Sequence, residues 1–189
     1  MDRQKMTHDK LMQNFHLLQS NPSEYLRIAN ELVSQDPTDP HAYFSRHQAW
    51  VRLGKPERGL ADLDKSLSLQ KHYVTFRARG TALRQMGNYR AAIDDYNTSE
   101  AMEPEEWKGG FGPLLRADCH ARLGDVERAL ADCAALPEEH WTPGLLGLPA
   151  GTKADVIVEI KRIAALARQK NRQAKRHASL RIVPRTSDG

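Results

Sequence analysis

The stretch FRARGTALRQMGNYRAAIDDYNTSEAMEP, residues 76–104, contains two amphipathic segments on either side of one turn signal. Phe76, Gly80 and Leu83 recur at i, i+4 and i+7, which places them on one face of an α-helix. The Gly-Asn pair that follows interrupts this pattern, because both residues accept the left-handed conformation that ends a helix. Apolar residues then resume at helical spacing until the final proline. The stretch therefore predicts a helical hairpin.

The same pattern occurs three times along the chain. The segments RLGKPERGLADLDKSL (52–67), QMGNYRAAIDDYNTSE (85–100) and RLGDVERALADCAALP (122–137) align on one glycine each, spaced 33 and 37 residues apart. A period near 34 residues is typical of helix-turn-helix repeats that stack to share a core. The longer second spacing predicts a short insertion, which we place at residues 105–110.

Small residues in the middle repeat predict close contact between its two helices. Gly80 on the first helix and Ala92 on the second would leave room where the helices approach each other. Larger residues such as Phe76, Tyr89 and Tyr96 would fill the space around this contact. A single hairpin of this kind cannot bury its apolar face, so neighbouring hairpins are expected to stack.

These motifs resemble the tetratricopeptide repeat family. The middle repeat carries the resemblance best, through Phe76-x-x-x-Gly80-x-x-Leu83, Gly87-x-Tyr89, Ala92-x-x-x-Tyr96 and Pro104. The repeat before it departs from the pattern at His47, which replaces the close-contact glycine. The repeat after it departs at Pro113, which replaces an aromatic residue. A degenerate unit is predicted over residues 7–37. The resemblance implies an all-α fold, a right-handed α-α superhelix of about three full hairpins with an N-terminal partial repeat.

The chain divides into four predicted segments: a repeat domain (6–136), a loop (137–151), a capping helix (152–170) and a basic, flexible tail (171–189). Prolines and glycines in the second segment predict a loop, whose Trp141 and three leucines are expected to pack against the body. Thr152 is the predicted N-cap of the capping helix, with Asp155 in its first turn. The apolar stripe of that helix is Val156, Ile160, Ile163, Ala164 and Ala167.

The net charge of +4 is unevenly distributed. Residues 161–189 contain nine Lys or Arg and one acid, so the rest of the chain is mildly acidic. The cations of the predicted tail are Lys170, Arg172, Lys175, Arg176 and Arg181. Such a cluster can bind the phosphates of nucleic acid or anionic lipid, although a solubilising or loosely structured end is the commoner explanation. No aromatic residue follows Trp141, so base stacking is not predicted.

A basic groove is predicted on the first helices of the repeats, which line the concave face of a stacked array. Its residues are Lys10, Asn14, Phe44, Gln48, Arg52, Arg77, Thr81, Arg84 and Arg122. Asp118 is the one acid on this face. Arginine donates paired hydrogen bonds to carboxylates, so the groove suits an acidic or carboxylate-bearing peptide. The alternative is that these are ordinary solvated positions on helices.

Some members of the family bind the terminal carboxylate of chaperone partners through a clamp that begins with a Lys-x-x-x-Asn pair. Lys10 and Asn14 resemble that pair. However, Ser45, Val74 and Ala78 stand where the resemblance would require the remaining clamp residues. The sequence therefore does not predict a chaperone-tail receptor.

Motifs for catalysis and for cofactor binding are absent from the sequence. It contains no Gly-x-x-x-x-Gly-Lys-Ser/Thr, no His-Glu-x-x-His and no Gly-x-Ser-x-Gly. The eight histidines lack the spacing of metal ligands. Cys119 and Cys133 fall on the two helices of the third repeat, and they are expected to be small buried hydrophobes close to each other. We therefore expect no enzyme activity, no cofactor and no bound metal.

The sequence thus predicts a cytoplasmic, non-catalytic adaptor that binds a protein or peptide, with an acidic peptide suited to its basic groove. The cytoplasmic expectation rests on the polar residues after Met1, which do not form the apolar core of a signal peptide. Two alternatives remain open. One is a secretion-type chaperone for an extended client, similar to type III translocator chaperones that dimerise through their N-terminal region. The other is a nucleic-acid or membrane-surface accessory protein that acts through the basic tail.

Overall fold

The computed structural model describes residues 9–109, 111–144, 148 and 150–181. The chain divides into two compact units, Met1–Gly109 and Gly110–Gly189. The helices of the first unit are α1 (residues 9–13), α2 (Leu17–Ser20), α3 (Pro22–Gln35), α4 (Pro40–Arg52), α5 (Pro56–Leu69), α6 (Tyr73–Gln85), α7 (Tyr89–Met102) and α8 (Pro104–Gly109). The second unit contains α9 (Gly112–Leu123), α10 (Val126–Ala134), β1 (Trp141–Pro143), β2 (Ala150–Thr152) and α11 (Lys153–Arg181).

Three helical hairpins form at the three aligned segments of the sequence. They are α4–α5 and α6–α7 in the first unit and α9–α10 in the second. Each turn contains one aligned glycine with positive φ: 70° at Gly54, 82° at Gly87 and 83° at Gly124. Glycine adopts this left-handed conformation without the steric cost that a Cβ would bring. The predicted hairpins and the all-α fold class are confirmed.

The middle hairpin has the close contact that its small residues predict. A Cβ on Gly80 would lie 2.8 Å from Cε1 of Tyr96 and 3.1 Å from the carbonyl oxygen of Ala92. Tyr96 is fully buried, and its ring centroid lies 5.6 Å from that of Trp107. Trp107 belongs to α8, so residues 105–109 of the predicted insertion are part of a short helix that packs against the hairpin.

The degenerate N-terminal unit has an interrupted first helix. The Asn14 side-chain amide donates to the carbonyl oxygen of Lys10 at 2.8 Å. That carbonyl is the one a continuous helix would use for the backbone N–H of residue 14, so the side chain competes with the helix. The break between α1 and α2 falls at this point. The first residues of the predicted unit, 7 and 8, lie outside the described residues.

The apolar core of this end of the chain includes residues from α1 to α4. It consists of Leu11, Leu18, Tyr25, Ile28, Leu32, Ala42 and Ala49. Helix α3 begins cleanly because the Asn21 side chain accepts a hydrogen bond from the backbone N–H of Glu24 at 3.2 Å. The partial repeat is therefore part of the first unit's core, although its first helix is broken.

The second unit has a core between its hairpin and α11. The α11 residues in this core are Val156, Ile160 and Ala164, as the predicted stripe requires, with Ile163 packed against them. Thr152 and Asp155 form the predicted cap: the Thr152 hydroxyl donates to Asp155 Oδ2 at 2.7 Å. These hydrogen bonds hold the pKa of the Asp155 carboxyl below its ordinary value. The helix continues to Arg181, past residue 170, where the sequence analysis placed its end.

The segment predicted as a loop contains an antiparallel pair of three-residue strands. Trp141 pairs with Thr152, and Pro143 pairs with Ala150. Leu148 is buried in the core, as predicted for the apolar residues here. The same prediction is wrong for Trp141, whose side chain is 60% exposed. Residues 145 and 146, the other two leucines, lie outside the described residues.

Candidate functional site

A pocket of about 130 Å³ lies where α4 and α6 begin in the first unit. Its lining is mostly apolar and consists of Pro40, His41, Phe44, Ser66, Gln70, His72, Val74 and Thr75. Of these residues, only Phe44 belongs to the predicted groove. Two successive repeats thus contribute their first helices to one concave feature.

The local sequence fixes the two ends of this pocket. Asp39 accepts a hydrogen bond from the backbone N–H of His41 at 2.9 Å and so starts α4. His72 does the same for α6, because its Nδ1 accepts from the backbone N–H of Val74 at 3.3 Å. The Ser66 hydroxyl closes the floor by donating to the carbonyl oxygen of Pro40 at 3.0 Å. Residues 41 and 74, which both line the pocket, are 33 positions apart and so occupy the same position in successive repeats. That spacing is the sequence signal for this site.

Two predicted groove arginines in the first unit form no ion pair among the described residues. Arg52 is exposed at the end of α4. Arg77 is partly buried, and its guanidinium lies 5.9 Å from the ring centroid of Tyr73. Gln48, one helical turn before Arg52 on α4, is also partly accessible. These three polar residues remain available to a ligand in the same face as Phe44.

Two further predicted groove residues are more enclosed. Thr81 donates its hydroxyl to the carbonyl oxygen of Arg77 at 2.9 Å and lies 3.3 Å from the Tyr96 hydroxyl. Arg84 is 4% exposed, so its guanidinium is part of the packed interior. Helical periodicity placed both residues on the groove face, but it did not reveal how deeply Arg84 is packed.

The N-terminal members of the predicted groove are engaged in other contacts. Lys10 Nζ lies 3.1 Å from Glu31 Oε1 on α3. Asn14 donates to the Lys10 carbonyl, as described above. In the structure these contacts occupy both side chains, so Lys10 and Asn14 resemble a carboxylate clamp in sequence only.

In the second unit, Arg122 and Asp118 bind each other. Arg122 Nε donates to Asp118 Oδ1 at 2.8 Å and to Oδ2 at 3.0 Å. Asp118 is fully buried, so this i,i+4 pair neutralises a carboxylate inside the unit. Arg122 was predicted as a ligand-binding cation and Asp118 as the one acid of the groove. Because the two side chains bind each other, the Arg122 guanidinium already has a carboxylate partner within the protein.

The predicted basic tail is largely helical. Lys170, Arg172, Lys175 and Arg176 are exposed on α11, and Arg181 is its last residue. Residues 182–189 of the predicted tail lie outside the described residues.

Sequence analysis missed an ion pair that recurs in all three hairpins. An arginine of the first helix binds an aspartate sixteen residues later on the second: Arg46 with Asp62, Arg79 with Asp95, and Arg116 with Asp132. In the middle hairpin the two hydrogen bonds measure 2.8 and 2.7 Å. Arg79 also binds Asp64 of the preceding hairpin at 2.8 Å, and these carboxylates raise the pKa of its guanidinium. The signal was the aspartate at the same place in each aligned segment.

Burial changes the acidity of several side chains. It lowers the pKa of His47, His120 and His140 below the ordinary histidine value. It raises the pKa of the Cys133 thiol to about 11, with help from Asp132. Cys119 and Cys133 are both buried and free. A protonated, buried thiol is a poor nucleophile, as expected for a small hydrophobe.

Within the described ranges, no group of three or more His, Cys, Asp or Glu side chains is arranged to hold a metal ion. None of the described helices combines the length and apolar content needed to cross a membrane.

The helical hairpins, their glycine turns and the close contact at Gly80 are those of a helical-repeat fold of the tetratricopeptide type. No protein-family model matches the chain. Two curated proteins are similar to it. The tetratricopeptide repeat and J domain-containing co-chaperone DNJ1 of Fusarium oxysporum f. sp. lycopersici is 27% identical, over 68% of this chain and 32% of that protein. U-box domain-containing protein 70 of Oryza sativa subsp. japonica is 24% identical, over 70% of this chain and 16% of that protein.

Solved structures share the fold. A structure of MamA, residues 41 to the end, from Desulfovibrio magneticus RS-1 has a TM-score of 0.64 at 15% identity, with 100% of this chain and 99% of that chain covered. A MamA RS-1 double mutant has a TM-score of 0.62 at 19% identity, over 71% of this chain and 74% of that chain. The chain spans about a third and a sixth of the length of the two curated relatives.

Proposed function

We propose that this protein is a non-catalytic adaptor that binds an extended peptide segment of a partner across the first helices of its first two full hairpins. The observation that carries the proposal is the apolar pocket between α4, α5 and α6. A pocket of about 130 Å³ accommodates one aliphatic side chain of a peptide. Phe44 and Val74 supply its apolar walls, and the surrounding helix face is polar.

Charge defines the rest of the proposed ligand. Arg52 and Arg77 lie on the same helix faces as the pocket, and neither has an acidic partner among the described residues. Arginine binds carboxylates with paired, charge-assisted hydrogen bonds. The preferred ligand therefore carries an apolar anchor residue and at least one acidic residue near it. In the same proposal the protein acts in the cytoplasm, where its two buried thiols stay reduced.

A peptide-binding experiment with matched variants tests this function. The tagged full chain is cross-linked to its partners, and the captured partner is then presented as overlapping peptides. Phe44→Ala should weaken peptide binding by about tenfold or more, because burying an aromatic side chain contributes roughly 1.5–3 kcal/mol. The double variant Arg52→Glu/Arg77→Glu should weaken it by a similar factor, because a hydrogen bond to a charged group contributes roughly 1.5–3 kcal/mol. Arg84 is left unchanged, since it is buried and its replacement would disturb folding.

The control is the double variant Lys65→Glu/Arg90→Glu, which makes the same change in net charge on exposed positions of α5 and α7. It should bind the peptide as the unaltered protein does. Equal loss of binding in both double variants would mean that net charge, not the groove, attracts the partner. Unchanged binding by Phe44→Ala would contradict the role of the pocket.

A secretion-type chaperone is the second candidate, and the exposed N-terminal side chains favour it. Met12 is 59% exposed and Phe15 is 46% exposed in the broken first helix of the partial repeat. Apolar side chains exposed together are typical of an interface. This candidate predicts a dimer in solution that Met12→Ser/Phe15→Ser converts to a monomer. A monomer at every concentration, measured by light scattering, would rule it out.

A further inference from the structure

The last part of α11 extends beyond the core of the second unit. Ala164 is the last α11 residue in that core, and Ala167 is still partly covered. Every described side chain from residue 168 to 177 is exposed, whereas the backbone stays helical to Arg181. We call residues 168–181 the helix extension. Over residues 168–177, the helix extension is therefore exposed to solvent on all sides.

The helix extension is strongly basic. It contains six Lys or Arg and no acid, and the preceding acid in the chain is Glu159. Arg168 is engaged with α9, because its Nε donates to the Gly124 carbonyl oxygen at 2.7 Å. Lys170, Arg172 and Arg176 form no ion pair among the described residues. Like charges at i,i+4, as at 172 and 176, destabilise a free helix. An anionic partner would relieve that repulsion.

The cations lie on two sides of the helix: Arg168, Arg172, Lys175 and Arg176 fall within an arc of about 100°, and Lys170 lies opposite them. At about 100° per residue, Lys170 lies roughly 200° from Arg172 and roughly 240° from Arg176. A flat membrane surface contacts one side of a helix only. Helices that lie on membranes also carry an apolar face. Residues 168–177, RQKNRQAKRH, have a single alanine and therefore no such face.

The major groove of B-form DNA fits this arrangement. It admits an α-helix and presents phosphates along both of its walls. At about 100° per residue, Gln169 and Gln173 lie between Arg172 and Arg176 on one side and Lys170 on the other. The amides of these two glutamines can hydrogen-bond to base edges. We propose that the helix extension binds duplex DNA, mainly through its phosphates. This surface is separate from the peptide-binding groove proposed above.

Fluorescence anisotropy with the full chain and a labelled 20-base-pair DNA duplex tests the proposal. With about four phosphate contacts, the log–log slope of affinity against salt is roughly −3.6, at about −0.9 per contact. Affinity should then fall about 150-fold between 50 and 200 mM salt. The triple variant Lys170→Glu/Arg172→Glu/Arg176→Glu should lose duplex binding at least 100-fold and flatten the slope.

The matched control is Lys65→Glu/Arg90→Glu/Arg128→Glu, which makes the same change in net charge at exposed positions outside the extension. It should keep its affinity within about threefold. Equal loss in the two triple variants overturns the proposal, as does no duplex binding at 50 mM salt. Binding to phosphatidylserine vesicles in place of duplex DNA assigns the surface to a membrane and also overturns it. Tighter binding to duplex RNA than to DNA excludes the B-form groove.

Discussion

His47 on α4 fills the space that a side chain at Gly59 on α5 would need. A Cβ on Gly59 would lie 2.6 Å from His47 Nδ1 and 3.3 Å from the His47 carbonyl oxygen. In the middle hairpin the sizes are exchanged, because Gly80 on the first helix accommodates Tyr96 on the second. The first full hairpin therefore keeps its close helix contact by moving the glycine to the other helix.

Gly59→Ala should destabilise the protein although alanine favours helices. The added methyl group overpacks the contact, which costs about 1–3 kcal/mol. The gain in helix propensity offsets about 1 kcal/mol of this. We expect a net loss of about 1 kcal/mol in the free energy of unfolding, measured by urea denaturation.

A double-mutant cycle checks the cause. In a His47→Ala background the new methyl group has room, so Gly59→Ala should become neutral or stabilising there. Gly109→Ala is the control, since a Cβ at that position would have nothing within 4 Å. Additive effects of the two substitutions would contradict the contact described here.

The hairpins could be predicted from the sequence because their turn glycines and small contact residues have fixed spacing. The exchange between His47 and Gly59 could not be predicted. The resemblance compares one position at a time, and the compensation is visible only when the two positions are considered as a pair. The strands at Trp141 and Ala150 were missed because three residues are too few to show an alternating pattern. The end of α11 was placed where its apolar stripe ends, yet no proline or glycine follows until residue 184.

Arg79→Met should destabilise the middle hairpin by removing the partner of a buried carboxylate. The Asp95 side chain is only 7% exposed and would lose both hydrogen bonds from the guanidinium. Breaking a fully buried pair costs about 3–5 kcal/mol. We expect roughly 2 kcal/mol, because the Arg79 side chain is 26% exposed and its ion pair is partly screened by solvent.

Two further variants separate this effect from a general loss of charge. Asp95→Leu in the Arg79→Met background should restore much of the stability, since no buried charge is then left unpaired. Arg162→Met, which breaks an exposed pair with Glu159, should change the urea midpoint little. If Arg79→Met behaves like Arg162→Met, the repeated ion pair contributes little to the fold.

Arg168→Ala should loosen the contact between α11 and the end of α9. It removes the hydrogen bond to the Gly124 carbonyl oxygen, which satisfies a backbone group at a helix terminus. Amide hydrogen exchange should accelerate near residues 120–124 and 164–168. Lys170→Ala, two residues further along an exposed face, should leave this exchange unchanged. Equal acceleration in both variants would show that the hydrogen bond does not anchor the helix.

The candidate site was only partly predictable for a physical reason. Helical periodicity gives the face on which a side chain lies, and it placed Phe44, Arg52 and Arg77 on the predicted groove face. It does not give the partners of a charged group. Arg122 has an aspartate one turn away, and Arg84 is enclosed by packing, so neither is as accessible as its helix position suggests.

Acidification should destabilise the protein through His47. Burial lowers the pKa of His47 in the folded state, although nearby Asp62 partly opposes this. In the unfolded chain the imidazole has its ordinary pKa of about 6.5. Below that pH the unfolded state binds more protons than the folded state, so stability is complete above it and falls as the pH drops towards the folded pKa. The urea midpoint should therefore fall as the pH is lowered from 7.5 to 5.

His47→Gln, which cannot be protonated, should show a smaller fall in the urea midpoint over the same pH range. His120→Gln tests in the same way a second histidine whose pKa is lowered by burial. A midpoint with the same pH dependence in His47→Gln and the unaltered protein would mean that His47 does not contribute to acid sensitivity.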